Sequence, residues 1–366
     1  LETTNAIKCW EALDQNVNIE KRIKSVTEYN KKYSDTKKGI AVIPVCFGIS
    51  FAQTTLNQAS ALVNIYIDGS VSVSTGAVEM GQGVNSKIIS IVAKTLCISN
   101  EKVRVDTTNT LRIPNASPTS ASTGADLNGM AAKNAGEELL NRLKKFAAKK
   151  LNHDNPDDIS IRNEIVFIKS AQTDYKWEEL ITDAYMDRTD LSCHSFYATP
   201  AIYIDRVKER GRPFAYYSYG TSVTEVIVDC VRGTYEIESV DVVHDVGQSL
   251  SIEIDKGQVE GAVIQGIGWA TIEQIKYDKN CKVLTAVNSY KIPDIKFCPK
   301  NFNITLLENS FNPFAVSNSK AVGEPPFVHG LGAYFAILNA LRCIRKDKPA
   351  PSLPLTPEKV FMYIHE

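Results

Sequence analysis

The stretch LVNIYIDGSVSVS, Leu62–Ser74, sets Asp68-Gly69 between two runs of apolar and β-branched residues. That arrangement predicts a β-hairpin, because both central residues of a tight hairpin turn must tolerate positive φ. A second hairpin is expected at Arg232-Gly233, between TSVTEVIVDC and TYEIESVDVV. Gly39–Phe51, GIAVIPVCFGISF, reads as a further strand. Helices are expected at about Asn85–Leu96, Asn128–Lys150, Ile254–Ile272 and Val328–Ile344, where apolar residues recur at three- and four-residue spacing. Strands and helices mix without regular βαβ alternation. The expected class is therefore α+β, two lobes of mixed sheets with packed helices, rather than a doubly wound sheet. Polar turns at Asn152–Asp158 and Arg206–Pro213 punctuate the chain. The expected organisation is a charged helical lead-in over 1–38, a first lobe over 39–205 and a second lobe over 206–366.

Charge narrows the functions. Lys and Arg number 41 against 42 Asp and Glu, so nothing draws the chain to nucleic acid or to an anionic membrane. Lys144, Lys145, Lys149 and Lys150 spread around a helix as a solvated face. No run approaches the roughly 18 apolar residues of a membrane span, and the first residues lack a signal-peptide core. The sequence opens at Leu1 without methionine, as expected of a processed, excised or partial polypeptide. The eight cysteines form no C-x-x-C pair, against a zinc ribbon or an iron–sulfur site in this chain. Most have apolar sequence neighbours, which predicts reduced core thiols and a cytoplasmic setting. The five histidines are scattered, so no side-chain metal site is expected.

Four stretches are odd for plain scaffold. EMGQG, Glu79–Gly83, places glycines before a helix, where backbone N–H groups can take an anion and Gln82 adds an amide; an ordinary glycine turn is the alternative. NASPTSASTGADLNG, Asn115–Gly129, is a loop of small and hydroxyl residues with room for a polar ligand, or simply a helix start capped by Asp126 or Asn128. In DKGQVEGAVIQGIGWA, Gly257, Gly261 and Gln265 share one helix face. Each interior glycine costs about 0.5–1 kcal/mol, justified by close helix packing by default, otherwise by a buried ligand. In KAVGEPPFVHG, Glu324 precedes two prolines, which should hold it extended on a stiff backbone. Buried there, its proton affinity would rise to suit a general base; a solvated surface turn is the plain alternative.

Taken together and in order, FGISF (Phe47–Phe51), LNQASALVNIYIDGSV, VEMGQG, SPTSASTGADLNG, YSYGTSVTEV, VEGAVIQGIG, YKIP and SKAVGEPP resemble the C-terminal part of the molybdenum-binding region of the xanthine dehydrogenase/oxidase family, from about Trp10 to Arg345. The resemblance implies that family's fold and a molybdenum ion held by a pyranopterin rather than by side chains. It implies that Gly81 and Gln82 touch the cofactor, that Ser120, Ala121 and Ser122 line its other side, and that Gln265 lies beside the metal. Phe51 would pack on the substrate ring, with Ala52 and Leu56 in the substrate pocket. Glu324 would be the catalytic base in hydroxylation of a purine or related N-heterocycle, with water as oxygen source. Electrons would leave through [2Fe-2S] centres and FAD on absent domains or subunits.

Two departures qualify this. Ala52 stands where the family pattern leads one to expect threonine, which puts xanthine itself in question. The iron–sulfur domain, the flavin domain and the first half of the molybdenum-binding region have no counterpart here. The expectation is therefore an incomplete half-site. Alone it is inactive and binds no cofactor, and it carries apolar surface that the missing half, or self-association, would cover. The rivals are a non-redox purine- or phosphate-binding module and a scaffold subunit that has lost activity.

Overall fold

A computed structural model describes residues 4–106 and 108–366; the first three residues of the expected lead-in lie outside it. In chain order the elements are α1 (Ala6–Val17), α2 (Ile19–Lys32), β1 (Thr36–Ile49), β2 (Gln58–Ile65), β3 (Val71–Thr75), α3 (Val84–Leu96), β4 (Val103–Val105) and α4 (Gly124–Lys150). There follow β5 (Ile159–Arg162), β6 (Ile165–Ile168), β7 (Ala171–Lys176), α5 (Trp177–Met186), β8 (Ser192–Ala198), β9 (Tyr203–Asp205) and β10 (Arg210–Arg212). The last part holds β11 (Tyr216–Asp229), β12 (Tyr235–His244), α6 (Ile252–Thr271), β13 (Asn301–Leu306), α7 (Gly332–Arg342) and α8 (Pro357–His365). Among the described residues no helix is long and apolar enough to cross a membrane.

One sheet has the order β4-β3-β2-β8. Its period-two pattern is explicit in β2, where Ala59, Ala61, Val63 and Ile65 are buried. They meet the stripe Leu127, Ala131, Ala135, Leu139 and Leu143 of α4, with Ile88 and Val92 of α3 and Trp177 of α5 in the same core. The other large sheet has the order β1-β11-β12-β13, and most residues of β11 and β12 are buried, on both faces. Helices on both faces explain that. Cys9 and Leu13 of α1 pack on Val223 and Val243. Val259 and Val263 of α6 and Ile337 of α7 pack among Val240 and Val242. The α+β class is borne out, and the parallel pairs β3/β4 and β12/β13 make both sheets mixed.

Several expectations are corrected. Both hairpins form, but at Asp68-Gly69 only the glycine takes positive φ, at 82°. Gly69 N–H closes a turn onto Tyr66 O, while the Asp68 carboxylate accepts from the N–H and hydroxyl of Ser70. β1, placed in the first lobe by chain order, pairs with β11 from Thr36↔Asp229 to Ile49↔Tyr216. A boundary drawn along the sequence cannot see a partner so distant. The helix expected from Val328 begins instead as a 3₁₀ turn, Pro325–Leu331, and becomes α-helical at Gly332. That turn lies directly on α6: a Cβ on Gly266 would come 2.2 Å from Phe327 O, and one on Gly330 would come 2.4 Å from the Gly266 carbonyl carbon. Only Cys9 of the eight cysteines is buried, and Cys46, Cys281 and Cys343 are exposed. Apolar neighbours in sequence place a residue on a strand or loop without choosing its face.

Candidate active site

A cleft of about 230 Å³ opens where the two large sheets and their helices meet. Met80, Gln82, Val84 and Lys87 line it from the loop before α3 and from α3 itself. Thr119, Ser120, Ser122 and Asp126 come from the loop before α4 and its first turn, and Asp255 and Gln258 from α6. Ser319–Glu324 closes the remaining side. Of the residues singled out from sequence, Gln82, Ser120, Ser122 and Glu324 are brought together here.

The Glu79–Gly83 loop spends its own donors. Gly81 and Gly83 N–H donate to Glu79 Oε1 at 2.9 Å, and Asn85 N–H donates to Oε2 at 3.0 Å. Partial burial pushes the Glu79 carboxyl up, but these backbone donors together carry it below its usual value. The helix terminus read as open to an anion is thus occupied by the chain's own carboxylate. Gln82 also folds back, accepting from Met80 N–H at 2.5 Å and donating to Val78 O at 2.8 Å. Thr119 Oγ1 accepts from Val78 N–H at 3.0 Å and ties this loop to the serine-rich one.

The serine-rich loop turns sharply, with Ala121 and Ser122 at φ 52° and 55°. Left-handed backbone at two successive non-glycine residues is strained. It presents Ser122 Oγ to Glu324 N–H, which donates to it at 2.7 Å. Asp126 does not cap α4, which starts at Gly124; from the first turn its carboxylate accepts the Tyr216 hydroxyl hydrogen bond. Burial pushes the Asp126 carboxyl up to about 6, against the pull of that bond and of Lys87.

Glu324 departs from its expectation twice. It is exposed, and its backbone is right-handed helical at φ −97°, ψ −41°, not extended. The preference of a pre-proline residue is overridden because Glu324 begins the 3₁₀ turn, its carbonyl accepting from Phe327 N–H at 3.1 Å. Among the described residues its carboxylate makes no hydrogen bond or ion pair, so backbone anchors alone set its place.

Gln265 does not line the cleft. It is exposed on α6, seven residues beyond Gln258, or roughly 10 Å along the helix axis. Gly257 and Gly261 share its face, and nothing lies within 4 Å of where a Cβ would stand on either. Close packing within this chain is therefore not what these glycines serve. Gly81 (φ 99°) is open in the same way. Phe51, Ala52 and Leu56 form a separate turn. Phe51 N–H and O bond the Asn57 side chain at 2.8 and 2.9 Å, its ring packs against the first core, and Ala52 is exposed. The Ser117 hydroxyl donates to Leu56 O and links this turn to the serine-rich loop. Ala121 lies in that loop but off the cleft wall.

Sequence reasoning missed the buried pair at the cleft's base. Lys87 Nζ donates to Asp255 Oδ1 at 2.6 Å, and Ser249 Oγ donates to Oδ2 at 2.6 Å. A signal existed: Lys87 interrupts the stripe Val84, Ile88, Ile91, and Asp255 interrupts the stripe Val259, Ala262, Ile267. A charge in an apolar stripe needs a partner.

With this geometry in hand, the comparisons with known proteins are direct. The family profile described as "Molybdopterin cofactor-binding domain" matches residues 12–299. The chain belongs to that family. Xanthine dehydrogenase of Oryza sativa subsp. japonica is 37% identical over 96% of this chain, and xanthine dehydrogenase/oxidase of Gallus gallus is 37% identical over 98%. The resemblance read from the eight motifs is thereby borne out. The chain spans about a quarter of the length of these relatives. Among solved structures, quinoline 2-oxidoreductase from Pseudomonas putida 86 has TM-score 0.83 at 22% identity, covering 99% of the chain and 46% of its own. CO dehydrogenase from Oligotropha carboxidovorans has TM-score 0.86 at 18% identity, covering 99% and 45%. At these identities the likeness is one of fold.

The residues present fit one side of such a cofactor. Gly81, Gly257 and Gly261 each offer bare backbone facing open space, room that a side chain would take up. Ser120 and Ser122 line the cleft, and their hydroxyls suit the polar edges of a pterin.

Proposed function

We propose that this chain is half of the active site of a molybdenum-dependent, xanthine dehydrogenase-like hydroxylase that oxidises a purine or related N-heterocycle. The convergence of Gln82, Ser120, Ser122 and Glu324 from three distant segments on one cleft carries this reading. Gly81, Gln82, Ser120, Ala121, Ser122 and Gln265 would hold the molybdenum–pyranopterin, with Gln265 nearest the metal. When bound, that group supplies the two-electron oxidation. Glu324 takes up the proton released as an oxygen from water is transferred to a ring carbon. Phe51, Ala52 and Leu56 belong to the substrate side, and Ala52 gives that side no hydroxyl.

Electrons would leave through iron–sulfur and flavin groups on companion domains or subunits, in a cytoplasmic enzyme. A companion portion of the molybdenum-binding region would find apolar surface to dock on. In the segment after α6, Leu284, Val287, Ile292 and Ile295 are 60–96% exposed. The phosphate-binding alternative is weakened, because Glu79 fills the N–H groups it would need.

The test is molybdenum content per chain, for this chain alone and copurified with its companion portion, with Glu324→Gln assayed in the complex. Metal only in the complex, and turnover lost in Glu324→Gln with metal retained, is the expected result. Metal bound stoichiometrically to the isolated chain would overturn the half-site.

A further inference from the structure

Asp126 and Tyr216 have no part in the reaction proposed above, yet they lie against the segment that carries Glu324. Tyr216, the first residue of β11, is buried at 7% exposure. Its hydroxyl donates to Asp126 Oδ2 on α4 and accepts from Ala321 N–H at 2.9 Å. Ala321 is buried and stands three residues before Glu324. One phenol thus joins the first turn of α4, the start of the interior strand β11 and the Glu324 segment.

We infer that Tyr216, oriented by Asp126, and Ser122 are positioning residues that fix Glu324 for its role as base. This rests on the proposed function above. The Glu324 carboxylate has no side-chain partner among the described residues, so its place follows from its backbone. That backbone is tied across the cleft by the Tyr216–Ala321 and Ser122–Glu324 bonds. Asp126 makes the tie directional. A carboxylate can only accept here, so the Tyr216 proton points to it, and the phenol oxygen keeps a lone pair for Ala321 N–H. Burial together with the Asp126 charge holds the Tyr216 hydroxyl well above its ordinary pKa, which preserves that donor. Without the phenol, the buried Ala321 N–H loses its acceptor and the part-buried Asp126 carboxylate loses its donor.

The experiment compares Tyr216→Phe, Asp126→Asn, Ser122→Ala and Glu324→Gln in the enzyme that contains this chain. Turnover of xanthine, hypoxanthine and quinoline is normalised to bound molybdenum. Hydrogen exchange is read by mass spectrometry over residues 316–331. Tyr216→Phe should lower kcat per metal by roughly 10- to 100-fold with KM within about twofold, since displacing a reacting group by about 1 Å suffices for that. Exchange over 316–331 should quicken while other core peptides are unchanged. Asp126→Asn keeps an oxygen for the tyrosine hydroxyl and should retain most of the parent's kcat per metal. Unchanged kcat per metal, or unchanged exchange over 316–331, in Tyr216→Phe overturns the inference. If that variant fails to fold, Ser122→Ala, which removes the acceptor of Glu324 N–H together with a hydroxyl offered to the cofactor, must show the same split between kcat and KM per bound molybdenum and the same faster exchange over 316–331. Full activity in Glu324→Gln would instead refute the base reading, so the two failures are distinguishable. If none of the three compounds is turned over, the exchange result decides alone.

Discussion

Alanine at Gly257 and Gly261 should stabilise this chain, although Gly261 lies in a motif shared with its family. A Cβ at either site meets no atom within 4 Å, so the added methyls cost nothing sterically. Each replacement removes the entropy penalty of an interior helical glycine, about 0.5–1 kcal/mol. The two sites are a turn apart and share no contact, so the effects should add to about 1–2 kcal/mol. Urea unfolding followed by far-ultraviolet circular dichroism would show a higher midpoint at unchanged slope. Leucine at the same sites should also leave the isolated chain folded, because the space is open. In the complete enzyme, however, leucine should lower molybdenum content, since it fills that space. A destabilised double-alanine variant would mean that the face is packed in solution. Full metal loading with leucine at Gly261 would mean that no ligand lies there.

Three further perturbations concern titratable groups. His244 and His329 bond each other at 3.1 Å, with Ser218 and Ser222 beyond them; burial holds His244 down to about 4 and His329 well below its ordinary value. The unfolded chain takes up protons below about pH 6.5 and the folded pair does not. Stability is thus fully present above that pH and falls on acidification by up to about 1.4 kcal/mol per pH unit per histidine. Below pH 6 Asp126, raised to about 6, acts in the opposite sense and offsets one of them. Acid titration of the unfolding midpoint checks this, and a flat curve between pH 6.5 and 5 would refute it. Lys87→Met leaves Asp255 buried without its partner and should cost about 3–5 kcal/mol; a loss below about 1 kcal/mol in urea would show the pair to be hydrated. Glu79→Gln cannot satisfy all three backbone donors and should cost roughly 1 kcal/mol, discounted for exposure. Because the Glu79 carboxyl is lowered in the folded chain, its contribution is present above about pH 4.3 and lost below, so the mutant and parent midpoints should converge in acid.

The segments that build the site were legible because each is locally unusual. Glycines before a helix, a hydroxyl-rich loop and an acid before two prolines need no knowledge of the fold to stand out. All four of the odd stretches contribute residues to one cleft. What was illegible is where each side chain points once packed. Glu324 was expected to be extended because pre-proline preference is local, while the 3₁₀ turn that overrides it is held by α6 through Gly266 and Gly330. The strand at Thr36–Ile49 gave no sign of pairing with Tyr216–Asp229, because strand partners are chosen across the whole chain. Asp126 looked like a helix cap because the tyrosine it binds lies 90 positions away.

The same comparison shows why the candidate base and the glycine face belong to one argument. Burial raises a carboxylate's proton affinity and strengthens every charge interaction around it. This chain supplies Glu324 with a fixed backbone and no cover, and gives Gly257, Gly261 and Gln265 exposure with no packing. A helix that tolerates two glycines on an open face, and a lone acid held by three segments yet left in water, are each unexplained within the chain. Both are explained if one bulky group and a companion surface complete the cavity from the same side. Molybdenum content and hydrogen exchange over 316–331 should then change together when the companion is added. If exchange slows there without metal entering, protein contact alone provides the cover. If metal enters while exchange is unchanged, Glu324 is not beside it.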